Sequence, residues 1–302
     1  MSTVAVLGAT GFVGSHVVSA LERRGVAVRP VRAPRVATSA RQVQALRAEL
    51  DRGDVAAALA DLRDALAGCQ AVVNAAGVAT ATGEGDDLYG ANALLAAMVA
   101  RAAPADARVV HVSSAAVQGR RPILDESEQG EPFSPYSDAK ALGEQTFLAE
   151  RPDGVCYRPT SVHGPGRAVT ARLAKLLNSP ACSVAGAGDA PTPQVLVDNV
   201  ADAAAFLAVT HHVPPRVVLH PWEGMTVAGL ARVLGGREPR HVPERLARRI
   251  VELASAVGTR HARVAGEARR LEMLWFGQPQ EQGWLTGRWN APQGMEKWKE
   301  LP

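Results

Sequence analysis

Cysteine is scarce. Cys69, Cys156 and Cys182 are too few and too scattered for a disulfide framework or a zinc site, and no metal is expected. Nowhere is there an apolar run of the roughly 18 residues that a transmembrane helix needs. The first apolar, β-prone run begins at residue 3 or 4 and leaves no room for a signal peptide, so a cytoplasmic protein is expected. Charge of one sign is also lacking. The net charge of +3 is mild for this size and does not suggest nucleic acid. Neither nucleic acid nor a membrane is therefore expected as a partner. Internal repeats and low-complexity tracts are absent. One local absence matters more: no acidic residue stands between Gly25 and Glu49. What remains is a 302-residue chain, 47% hydrophobic and 21% charged. It can form a large α/β domain, or one such domain with a smaller lobe.

Val4–Leu7 runs into Gly8-Ala9-Thr10-Gly11-Phe12-Val13-Gly14, followed by a helical pattern of Val13, Val17 and Leu21 that stops at Gly25. Strand, glycine turn and helix are the context that a dinucleotide fingerprint requires. Gly8 permits the tight turn, Gly11 lets a pyrophosphate approach the backbone, and Gly14 allows close helix–sheet packing. Free N–H groups and the positive dipole end of the helix then face the phosphates. Val26–Arg32 reads as the second strand. Where an NAD-binding unit carries an acid for the ribose hydroxyls, this chain has Arg32, with Arg35 close behind. A guanidinium there can pair bidentately with a 2′-phosphate, so NADP(H) is preferred and NAD(H) remains possible.

Ala40–Asp51 and Val55–Ala67 read as helices, with no clear strand before residue 54. Gln70–Ala76 is a strand ending in Asn74-Ala75-Ala76-Gly77, small residues that admit a cofactor. The polar loop from Val78 to Gly90, with Thr80 as a candidate substrate contact, should lie over the site. A helix over Leu88–Ala103 precedes the apolar strand Val109–Ser113, which brings Ser113 and Ser114 to the carboxyl edge of the sheet. Tyr136-Ser137-Asp138-Ala139-Lys140 opens a helix to about Glu150 and places Tyr136 and Lys140 on one face. Val155–Arg158 is a strand, followed by Pro159 and the turn His163-Gly164-Pro165-Gly166. Ala168–Leu177 reads as a helix and Val195–Val197 as a strand. Asp198 reads as the N-cap of a helix over Asn199–Val209, ahead of a strand over Arg216–Leu219. From Arg232 to Arg270 there are ten Arg against four Glu. Within that stretch Leu246, Ile250, Leu253 and Val257 form one helix face and arginines another. The basic face is either solvated surface or an anion site for a phosphorylated substrate.

Taken in order, these segments resemble the extended short-chain dehydrogenase/reductases, a family of NAD(P)-dependent epimerases, dehydratases and ketoreductases. The likeness rests on Gly8–Gly14, Asn74–Gly77, Val112–Gly119, the Tyr-x-x-x-Lys of Tyr136 and Lys140, Arg158–Gly166 and Val197–Ala201. Gly294–Trp298 looks like the last helix of the epimerases. The resemblance implies a Rossmann-type doubly wound parallel sheet with a smaller, mostly helical C-terminal lobe. Residues 1–163 plus 194–222 would form the dinucleotide-binding domain, and 164–193 plus 223–302 the substrate lobe. It also implies a small-molecule carbonyl or alcohol as substrate, and a possible homodimer.

By the same resemblance Tyr136 is the proton donor or acceptor and Ser114 the residue that orients the substrate oxygen. Lys140 bridges the nicotinamide ribose and, with an oxidised nicotinamide, lowers the Tyr136 pKa. Pro159 to Val162 line the nicotinamide carboxamide, Asp54 contacts the adenine, and Asn92 is either catalytic or a backbone tie. His163, a candidate substrate contact, replaces a family Tyr and reads first as a turn or pocket-wall residue. Thr192 stands where nucleotide-sugar enzymes often carry a pyrophosphate-binding Arg, which weakens that substrate class. An NADPH-dependent ketoreductase is the leading reading. The alternatives are a nucleotide-sugar epimerase and, less favoured because Ala115 and Ala116 follow Ser114, a dehydratase. A non-catalytic NAD(P)-binding sensor is the alternative of another class.

Overall fold

The structure, a computed structural model, describes residues 3–78, 85–258 and 262–301. The first strand, β1 (Thr3–Leu7), leads through the glycine turn into α1 (Phe12–Arg23) and β2 (Ala27–Val31). Next come α2 (Val43–Glu49), α3 (Gly53–Leu66) and β3 (Ala71–Asn74). After α4 (Gly85–Tyr89), a π-helical turn over Gly90–Leu94 runs into α5 (Leu95–Ala102) and then β4 (Arg108–Val112). A 3-10 turn over Ala115–Gln118 is followed by α6 (Pro135–Glu150) and β5 (Val155–Arg158). Last in the main sheet is β9 (Val217–Leu219), giving the order β2-β1-β3-β4-β5-β9 with every pairing parallel. This is the doubly wound sheet the sequence implies. Pro30 sits in β2, an edge strand, where a missing N–H is tolerated.

Alternation within β1 sorts the two faces. Val4 and Val6 point to α1 and to α8 (Val197–Val209), meeting Val17, Leu21 and Val200. Ala5 and Leu7 point the other way, to Leu62, Leu66, Met98 and Phe147. Each buried Leu or Val in these layers contributes roughly 1.5–3 kcal/mol relative to exposure. A further layer covers α5 and α6. Leu46 and Leu50 of the α2 region are 0% and 1% exposed within the same core. Glu150 at the end of α6 accepts from Arg47 of α2 (2.5 Å) and from Arg101 of α5 (2.6 Å).

A second body of structure is built from β6 (Ser161–His163) paired with β8 (Gln194–Leu196), and β7 (Ser183–Ala185) paired with β10 (Arg240–Val242). Around them pack α7 (Ala168–Leu177), α9 (Val227–Gly235), α10 (Glu244–Gly258) and α11 (Ala262–Phe276). The C-terminal Met295–Glu300 is a 3-10 turn whose Trp298 is buried against α9 and β7 residues.

Several expectations change. Between β2 and α3 there is no third strand, in keeping with the lack of a clear one in the sequence: the segment after β2 is irregular and then helical, and Asp54 lies in the first turn of α3. The strand-end geometry behind its expected adenine contact is therefore missing. α8 begins at Val197 with Leu196 as N-cap. Asp198 is inside the first turn, facing His16 at 3.6 Å, and is not the cap. The run expected to belong wholly to the C-terminal lobe also returns to the main sheet. Leu285 and Trp289 are buried in the α1–α8 layer, and Trp289 Nε1 donates to Asp202, which also accepts both Arg24 nitrogens. Finally, Leu246, Ile250, Leu253 and Val257 of α10 face solvent, while Ala247 and Val251 are the residues it buries.

Candidate active site

β2 and β3 leave β1 on opposite sides, so a crevice opens at the carboxyl ends of β1 and β3. The glycine turn lines one wall. Gly8 has φ +76°, and a Cβ there would stand 2.8 Å from Ala76 N and 2.9 Å from Ala75 C. A Cβ on Gly14 would lie 2.0 Å from Gly8 O, so α1 seats directly on the strand end. Gly11 differs: only Gly8 O lies within reach of a Cβ, at 3.1 Å, and its outer side is open. Thr10 and Gly11 are exposed, Phe12 and Val13 half-buried, and no side chain caps α1. The first N–H groups of α1 thus remain available to an anion. This cradle, which a single Cβ would fill, fits a dinucleotide pyrophosphate.

The opposite wall is Ala75-Ala76-Gly77 at the end of β3. A Cβ on Gly77 would meet Asn92 Oδ1 at 2.7 Å and Lys140 Nζ at 3.3 Å. Asn92 reaches this point because the helix widens to a π turn at Gly90–Leu94, a distortion common at functional sites. Its Nδ2 donates to Val78 O (3.1 Å) and Leu88 O (3.0 Å), making the backbone tie weighed above. Asn92 Oδ1 is buried and has no partner among the described residues.

At the end of β4, Ser114 caps the 3-10 turn by accepting from Ala116 N (3.2 Å). The start of α6 is fixed by a capping box between Ser134 and Ser137, with Pro135 in its first turn. That construction places Tyr136 near Ser114, whose hydroxyl draws the phenol pKa down. One turn on, Lys140 is buried and donates to Val112 O at 3.2 Å. Burial pushes its pKa down to about 8, against the opposing pull of Glu144. Burial also raises the Tyr136 pKa above its ordinary value. The groups that draw it back are Ser114 and the guanidinium of Arg167, not Lys140. The Lys140 ammonium is turned to the β4 carbonyl of Val112.

Arg167 was missed from the sequence. It caps α7, donates to Val162 O at 2.6 Å and stacks over the Phe12 ring at 4.8 Å. It joins the glycine turn, the turn after β6 and the catalytic tyrosine candidate. Its place immediately after His163–Gly166 was the available signal.

Arg32 and Arg35 are both exposed just beyond β2, and neither makes a hydrogen bond or ion pair with the described residues. Pro159 and Val162 are buried. The Val162 side chain belongs to the apolar core. His163 is also corrected. It is 1% exposed, with Nδ1 3.1 Å from Thr170 Oγ1 and Nε2 2.6 Å from Gln194 Oε1. It knits β6, β8 and α7 together and does not line an open site. Thr192 is buried in the same region. Thr80 lies outside the described residues.

Burial holds the His163 pKa down to about 4, below its ordinary 6.5. Between these values the unfolded chain binds the proton and the folded chain does not, so stability rises with pH across the window. Thermal melts should therefore show stability fully present above about pH 6.5 and lost as the pH falls toward 4. A His163→Asn variant should be less stable at pH 7 but show a flatter profile over that window. An unchanged slope would remove His163 as its source.

Residues 4–218 match the NAD dependent epimerase/dehydratase family, and the chain belongs to that family. Among curated relatives, the 4-hydroxy-2-methyl-3-oxo-4-farnesyl-3,4-dihydroquinoline-1-oxide ketoreductase of Stigmatella aurantiaca is 34% identical over 170 residues, 53% of this chain and 50% of that protein. The ceramide reductase of Caulobacter vibrioides is 34% identical over 217 residues, 70% of this chain and 61% of that protein. The chain thus spans between half and two thirds of the length of each. A human epimerase family protein solved with NADPH shares the fold at a TM-score of 0.64, with 19% identity over 99% of this chain and 98% of that one.

Proposed function

We propose that this chain is an NADPH-dependent reductase that reduces a carbonyl of a lipophilic small molecule. The observation that carries the reading is the pairing of Ser114 with Tyr136 beside Gly77 and Lys140, on the crevice edge of the sheet. When bound, the nicotinamide supplies the hydride. Tyr136, protonated throughout the neutral range because burial raises its pKa, gives the proton to the carbonyl oxygen. Ser114 holds that oxygen beside the phenol, and Lys140 takes the ribose hydroxyls below Gly77. Arg167 supplies the positive charge that favours tyrosinate after the proton has left. Two curated relatives are named as reductases, one of a farnesyl-bearing quinoline oxide and one of ceramide, which supports reduction and an apolar substrate.

The NADP preference rests on Arg32 and Arg35, exposed guanidiniums without a hydrogen bond or ion pair among the described residues. Calorimetric titration should show NADPH binding more tightly than NADH. Arg32→Ala should weaken NADPH roughly tenfold to a hundredfold, the loss of one or two charge-assisted hydrogen bonds, and leave NADH nearly unchanged. Tighter NADH binding by the native chain would overturn the preference.

A further inference from the structure

α10 is amphipathic in the wrong sense for a helix of a closed lobe. Its inward residues, Ala247 and Val251, are small and already packed on Ala185 and Trp275. Its large apolar residues point outward: Leu246 is 52% exposed, Ile250 37%, Leu253 69% and Val257 54%. At about 100° per residue these four fall in one narrow stripe. Together they expose a few hundred Å² of contiguous apolar surface, the scale at which a patch marks an interaction site.

The border of the stripe identifies what it meets. Arg245 and Arg249 lie along one side, exposed and without a hydrogen bond or ion pair to the described residues. Arg248, farther round, is instead held by Glu244 at 2.6 Å. Long stems beside an apolar stripe let guanidiniums reach up to lipid phosphates while the stripe enters the acyl boundary. On α10 itself Arg245, Arg248 and Arg249 stand against Glu244 and Glu252, and since Glu244 is taken up by Arg248 the helix keeps a basic excess that an anionic lipid surface complements. A second copy of the same face would bring like charge to like charge. We infer that α10 is an interfacial helix that seats this protein on an anionic bilayer. This reverses the expectation of no membrane partner drawn from the lack of a spanning segment, since a helix can lie in the interface without crossing it.

The helix packed on α10 also reaches the candidate active site. α11 packs along α10, and its Arg269 donates through Nη2 to Gly119 O (3.0 Å), the residue that ends the turn begun by Ser114. An apolar substrate dissolved in the bilayer would then be met by a surface fastened to the rim of the site. This functional sense rests on the reductase reading; the membrane contact itself does not.

Flotation of the full chain tests it, using vesicles of phosphatidylcholine alone and vesicles with about a third phosphatidylglycerol. The chain should float with the anionic vesicles, at least tenfold less with the neutral ones, and be released by high salt. Leu246→Gln/Leu253→Gln and Arg245→Gln/Arg249→Gln should each abolish flotation while circular dichroism melts stay native-like. Absence of flotation with anionic vesicles would overturn the inference, as would binding that both double variants retain. A dimer mass in light scattering that Leu246→Gln/Leu253→Gln dissociates, without vesicle binding, would assign the stripe to a second copy instead. Flotation with no NADPH binding would leave the membrane contact standing and remove the reductase reading.

Discussion

Replacing Tyr136 by Phe is expected to lower kcat for carbonyl reduction by about 10²–10⁴-fold, the contribution of one positioned general acid. The ring stays, so packing at the start of α6 and NADPH affinity should change by less than about twofold. The loss should fall on kcat more than on KM, because the missing proton matters only as charge builds on the carbonyl oxygen. The pH profile provides a second readout. Burial raises the phenol pKa, so the native rate should hold steady through neutrality and decline only in alkaline solution as the donor ionises. In Tyr136→Phe that alkaline limb should vanish. Retention of more than a tenth of native activity would show that another group supplies the proton.

Lys140→Met is expected to separate activity from stability. Activity should fall by 10²-fold or more, since the residue meant to hold the ribose and fix the reacting geometry is gone. Stability, however, should rise. Lys140 is 5% exposed, and its pKa of about 8 in the fold lies below the 10.5 of the unfolded chain. The folded protein thus carries a buried charge at neutral pH, at a cost of up to roughly 3 kcal/mol. Between pH 8 and 10.5 the unfolded state binds more protons, so this cost is present in full below pH 8 and is relieved as pH rises through the window. Met fills similar volume without charge, and the lost bond to Val112 O offsets part of the gain. A net increase of about 1–3 kcal/mol at pH 7 should appear in denaturant melts. A less stable variant would mean that the ammonium is stabilised in the native state by more than the structure shows.

How much of this was legible in the sequence depends on the kind of signal. Glycine spacing reports backbone geometry directly, so the turn at Gly8–Gly14 and its fit to β1 and β3 could be read in advance. The face shared by Tyr136 and Lys140 follows from helical periodicity alone. Their environment does not: which way the Lys140 ammonium turns depends on Val112, and the cation beside Tyr136 comes from Arg167, 31 positions away on another element. His163 occupies a motif position, yet it is buried with Thr170 and Gln194 as partners. Polar satisfaction between distant elements leaves no local trace. Asp54 stands in the first turn of α3 because the segment after β2 forms helices, as its Leu spacing indicated. For α10 the apolar period was read correctly, but periodicity cannot say which face turns inward. Small Ala247 and Val251 won the contact with Ala185 and Trp275, leaving the larger residues outside.

The most direct test of the account follows the hydride. NADPH carrying deuterium at nicotinamide C4 is mixed with the purified chain and a long-chain ketone, and the products are read by mass spectrometry. The account predicts one NADP⁺ formed per alcohol, with the deuterium on the new carbinol carbon and the yield collapsing in Tyr136→Phe. A sugar nucleotide epimerised in the same assay with no net oxidation of the cofactor, and no alcohol formed from the ketone, would contradict it.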